Sequence, residues 1–158
     1  WVGVLRSNDG GLTWIQGMGV PASKALALAA DPLLDGTLYL GTRSGGVFRS
    51  SDLGLSWQAA SSGLPGWAPA TWYEVQALLA DPGRAGTVYA GTWSGVYVTR
   101  DRGESWAPLG DGCPPYQVRA LVLADGGHTL LAGTYGAGVV ALDLAEPRAP
   151  RRALAHAP

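Results

Sequence analysis

Cysteine and histidine are almost missing from this chain, and so are any charge excess and any long apolar run. Cys113 stands alone beside two prolines, which excludes an internal disulfide and reads as an inert thiol. His128 and His156 form no ligand pair, so no metal or other cofactor site is expected. No run of 18 apolar residues occurs, and no membrane span is expected. Net charge is −1 and the 11 basic residues are dispersed, which removes the electrostatic footprint of a nucleic-acid binder.

What the chain has in quantity is glycine (24) and proline (11), arranged around a repeat. Ser7-Asn8-Asp9-Gly10-Gly11-Leu12-Thr13-Trp14 returns as Ser50-Ser51-Asp52-Leu53-Gly54-Leu55-Ser56-Trp57 and again as Thr99-Arg100-Asp101-Arg102-Gly103-Glu104-Ser105-Trp106. The aspartates are 43 and then 49 residues apart, a period that marks a supersecondary unit repeated as an array. The unit is longer than this box: Ala25–Trp57 aligns with Val75–Trp106, and a worn copy runs over Val118–Leu144. Val2–Ser7 aligns with Gly45–Ser50, so the chain begins inside a unit.

Each unit holds four short runs rich in β-branched, aromatic or alternating apolar residues, separated by Gly, Pro and Asp signals, as consecutive antiparallel strands A to D require. In the second complete unit they are expected at 75–80, 87–92, 95–100 and 105–109. Asp31–Gly36 and Asp81–Gly86 read as A–B turns, the Gly-Thr segments at 41–46 and 91–95 as B–C connections, and the box as the C–D connection. Within the box the Asp accepts backbone N–H groups of its own turn and the Gly takes the left-handed conformation. Asp9, Gly11, Trp14, Asp52, Gly54, Trp57, Asp101, Gly103 and Trp106 are therefore expected to be structural.

The three boxes resemble the Asp-box, or BNR, repeats of sialidase-type propellers. The fuller unit resembles xyloglucanase-like and photosystem II assembly factor-like propellers, over about residues 2–144. The resemblance implies an all-β fold, a β-propeller of four-stranded antiparallel blades, of which about three and a quarter are present. The expected divisions are a half blade at 1–18, complete blades at 19–61 and 62–109, a degenerate blade at 110–144 and an Ala/Pro/Arg-rich tail at 145–158. So few blades do not close a ring; the expectation is a fragment, completed by further blades of the same protein or, second, by other subunits. An extracytoplasmic setting is implied by the resemblance alone.

In the family geometry the D–A and B–C connections line the ligand face, and the A–B turns and boxes line the opposite one. That sorting leaves Glu74 and Asp111 as the carboxylates on the ligand face. Glycoside hydrolysis needs two carboxylates about 5–9.5 Å apart, so these two are the catalytic candidates, though neither matches the motifs of the xyloglucanase-like enzymes. Sialidase chemistry is not expected, because only Arg43 and Arg119 lie toward the region where that family holds its substrate carboxylate.

Aromatic residues point elsewhere. The longest loop, 60–74, carries Trp67, Trp72 and Tyr73, and the position after Gly-Thr is Arg43, Trp93 and Tyr135 in successive units. Aromatic faces suit sugar rings or peptide segments, at small cost in conformational entropy. The expected binding set is Arg43, Trp67, Trp72, Tyr73, Glu74, Trp93 and Tyr135, on a non-catalytic recognition or scaffold surface for a protein or a glycan. The alternative is a portion of a xyloglucanase-type glycoside hydrolase.

Overall fold

A computed structural model describes residues 3–21, 23–66, 74–110 and 116–144. Among them, thirteen strands form four antiparallel sheets of two, four, four and three strands. The first sheet pairs β1 (Leu5–Arg6) with β2 (Ile15–Gln16). The second runs β3 (Ala25–Ala30), β4 (Leu38–Thr42), β5 (Val47–Ser50) and β6 (Gln58–Ala59) in simple order. The third repeats it with β7 (Val75–Ala80), β8 (Val88–Thr92), β9 (Gly95–Thr99) and β10 (Ala107–Pro108), and the fourth holds β11 (Val118–Ala124), β12 (Thr129–Thr134) and β13 (Gly138–Asp143).

The outer strand is shorter than its expected 105–109 span for a physical reason. The Trp106 N–H leaves its own sheet and donates to the Ser62 carbonyl of the preceding one, at 2.8 Å. Trp57 does the same with Met18, at 2.9 Å.

Strand alternation splits each sheet into two apolar faces, and every junction buries one of each. Leu40, Phe48 and Trp57 of the second sheet pack against Val4 and Val20. Tyr39 and Val47 leave by the opposite face and meet Val75, Val88 and Ala90 of the third sheet. Tyr89, Val96 and Val98 then meet Val118, Leu130 and Ala132 of the fourth. Leu131 aligns with Tyr39 and Tyr89 but is only half-buried, and Val139 is 71% exposed, because no described sheet covers their face.

The repeated Gly-Thr pair is explained at these junctions. A Cβ on Gly41 would lie 2.8 Å from the Val75 carbonyl oxygen, and one on Gly91 would lie 2.8 Å from Val118 Cγ1, so only glycine lets the next sheet's first strand approach. The threonine then organises the following loop. Its hydroxyl donates across it, Thr42 to Gly46, Thr92 to Gly95 and Thr134 to Gly138, in the second, third and fourth sheets. Each innermost strand also carries a register break at its start, between Ala25 and Ala27, Val75 and Ala77, and Val118 and Ala120. Such bulges re-aim the side chain they insert; here those are Leu26, Gln76 and Arg119.

Candidate functional site

The two ends of the sheets are chemically distinct. At one end lie the A–B turns and the boxes. Asp9 Oδ1 accepts the Thr13 N–H, Asp52 Oδ1 the Ser56 N–H and Asp101 Oδ1 the Ser105 N–H, each at 2.9 Å. The partner hydroxyl of the same Thr or Ser donates to the other carboxylate oxygen. Those side-chain bonds, from Thr13, Ser56 and Ser105 respectively, are the largest reason the three carboxyls sit at about 2, below the ordinary 3.8. A carboxylate held ionised by its own turn is a poor proton donor near neutral pH.

The box tryptophans are not equivalent. Trp57 and Trp106 are 3% and 5% exposed because each wedges against the chain leaving the preceding sheet, whereas Trp14 is 60% exposed with no described sheet before it. Two arginines that the sequence places on strand C also cross junctions here. Arg6 Nη1 donates to the Asp52 carbonyl at 3.1 Å, and Arg49 Nη1 to the Arg102 carbonyl at 3.0 Å and to Glu104 at 3.2 Å. The equivalent residue facing the box-free fourth sheet is Val98, which is buried. A cleft of about 120 Å³ lies beside this clasp, lined by Arg49, Gln58, Ser61, Ser62, Gly103 and Glu104. Its single carboxylate cannot supply the pair that glycoside hydrolysis uses.

The opposite end carries the described members of the expected binding set. Arg43, Trp93 and Tyr135 each follow the Thr that ends the second strand of their sheet. The Arg43 N–H donates to the Lys24 carbonyl at 2.9 Å and the Tyr135 N–H to that of Gln117 at 2.8 Å, which pins these loops to the start of the innermost strand. The bulges supply a second row beside them. Gln76 Nε2 donates to Glu74 Oε1 at 3.0 Å, and the Arg119 guanidinium lies 4.6 Å from the centre of the Tyr135 ring with Nη2 donating to Gln117 Oε1 at 3.3 Å. Tyr135 is 66% exposed, Arg43 is exposed, and Trp93 and Glu74 are half-buried.

Trp67, Trp72, Tyr73 and Asp111 lie outside the described residues, so the Glu74–Asp111 separation is undefined and only Glu74 of that pair has a described position. Gln76, and the contact that joins Arg119 to Tyr135, were not readable from the sequence, because the inserted residue is chemically different in each unit and only the register break marks it.

Sheets of four antiparallel strands, stacked in sequence order with their first strands side by side, are blades of a β-propeller, here a partial one. No protein-family model matches the chain. Over 81 residues, 50% of the chain, it is 41% identical to the oligoxyloglucan-reducing end-specific xyloglucanase of Emericella nidulans, of whose length it covers 10%. Among solved structures, the GH74 enzyme of Niastella koreensis is similar with a TM-score of 0.69 and 21% identity, over 89% of this chain and 24% of that one. YCF48 bound to D1 peptide is similar with a TM-score of 0.61 and 19% identity, over 92% of this chain and 48% of that one. The two structural likenesses establish the fold, and the chain spans about a tenth of the curated relative.

Proposed function

We propose that these blades form a recognition surface for a glycan, at the end carrying Arg43, Glu74, Trp93 and Tyr135, and that this stretch contributes no catalytic group of its own. One observation carries the reading. Successive blades place a cation, an indole and a phenol at equivalent loop positions, each presented from a loop tied down by the Gly-Thr threonine. Aromatic and amide or carboxylate groups side by side match a sugar's apolar ring face and its hydroxyl edge. The 41% identity to a xyloglucanase favours a glycan over a peptide as the ligand class. The three boxes, with their Asp-centred turns, support the Asp-box resemblance and act as braces between blades.

Further blades of the same protein complete the ring in this reading. A second reading, favoured by the same identity, makes this stretch one wall of a glycoside hydrolase whose acid and base stand partly elsewhere. Isothermal titration with xyloglucan oligosaccharides, alongside an assay for released reducing ends, tests both. Binding without turnover, weakened at least tenfold by Tyr135→Ala, supports recognition. Turnover abolished by Glu74→Gln supports the hydrolase, and absence of binding to these and to acidic oligosaccharides alike overturns the glycan reading.

A further inference from the structure

Arg119 is a cation on this end held by two side chains. It is exposed, sits on the bulge of β11, and is braced by the Tyr135 ring at 4.6 Å and by Gln117 Oε1 at 3.3 Å. Stacking occupies the face of a guanidinium and leaves its in-plane N–H groups open, apart from the one given to Gln117. No carboxylate among the described residues pairs with it. The ion pairs of Arg49 with Glu104 and of Arg84 with Asp81 both lie at the opposite end.

Charge is also sorted between the two ends. Asp9, Asp52, Asp101 and Glu104 belong to boxes, Asp31, Asp35, Asp81 and Asp125 to A–B turns, and Asp143 ends β13 beside that same rim. Glu74 is the one described carboxylate at the recognition end, and it accepts from Gln76. Lys24, Arg43 and Arg119 are the described cations there.

We propose that Arg119 and Tyr135 form a carboxylate subsite, so that the glycan taken by this surface carries a uronate residue. The inference rests on the glycan reading above and specifies its chemistry. A uronate carboxylate accepts two parallel N–H bonds from the guanidinium fork, which the Tyr135 ring beneath it holds in place. Arg43, two blades away on the loop equivalent to that of Tyr135, extends the same preference along an acidic chain.

The test is titration of the full chain with tetragalacturonate, its methyl ester and a neutral xyloglucan heptasaccharide. Tetragalacturonate is expected to bind, and methyl esterification or Arg119→Gln to weaken it at least tenfold. Arg119→Lys recovers part of the loss, because it restores charge without the fork. Equal binding of acid and ester, or no effect of Arg119→Gln, overturns the subsite. Binding of the neutral heptasaccharide alone overturns it too while leaving glycan recognition standing, and binding of no saccharide overturns both.

Discussion

Asp31 on one blade accepts the backbone N–H of Gly86 on the next, at 2.8 Å, and is buried there. Its other oxygen accepts the Leu33 N–H at 2.9 Å, so one buried carboxylate closes its own turn and fastens the neighbouring one. Asp81, its equivalent, accepts the Gly83 N–H of its own turn at 2.9 Å and takes the Tyr89 hydroxyl at 3.2 Å instead. Replacing Asp31 by Ala strands the buried Gly86 N–H and is expected to cost about 1–3 kcal/mol, read as a lower urea midpoint. An unchanged midpoint would mean that the clasp adds nothing.

Gly19 and Gly63 have positive φ, and a Cβ on either would lie 2.1 Å from the carbonyl oxygen of Trp57 or Trp106. Ala at either position combines backbone strain with a clash and is expected to lower stability by well over about 1 kcal/mol. Gly83→Ala, whose new Cβ has its nearest neighbour at 3.5 Å, is expected to be near neutral. Equal thermal midpoints for Gly63→Ala and Gly83→Ala would contradict this.

Trp57 and Trp14 hold the same place in the repeat with opposite burial. Trp57→Ala is expected to cost about 3–5 kcal/mol, and Trp14→Ala a small fraction of that in this chain. Denaturant titration of the two variants separates wedge from surface.

The box aspartates set an acid limit. Their carboxyls lie at about 2 when folded, below the ordinary 3.8, so their contribution is complete above about pH 4 and is lost as pH falls through about 2. At the other extreme burial, with help from Asp31, holds the Tyr39 phenol at about 12, so stability declines as pH rises from about 10 to 12. Unfolding midpoints at pH 5, 3 and 2 should fall for the parent and fall less for Asp52→Asn, and those at pH 9, 10.5 and 11.5 should fall less for Tyr39→Phe.

Much of the fold was legible because its determinants are local. Asp52 and Ser56 meet within one turn, and the Gly41-Thr42 and Gly91-Thr92 pairs recur at fixed offsets from strands of regular alternation. What escaped lies between blades. Arg6 and Arg49 occupy aligned positions, yet their acceptors are 46 and 53 residues away. Gly19 and Gly63 open the Gly-x-Pro triplets 19–21 and 63–65, repeated at 112–114, a signal whose meaning emerges only when Trp57 and Trp106 arrive from the following blade. At the candidate site, alignment places Arg43, Trp93 and Tyr135 at equivalent loop positions, whereas the setting of Gln76 and Arg119 depends on bulges that no residue type announces.

Amide and indole chemical shifts of the chain, followed during titration with xyloglucan and galacturonan oligosaccharides, test the recognition end most directly. Perturbations confined to the surroundings of Arg43, Trp93, Arg119 and Tyr135, with the box residues around Asp52 and Asp101 unmoved, are the predicted result. Perturbations centred on the cleft between Arg49 and Glu104, or none with any oligosaccharide, would contradict it.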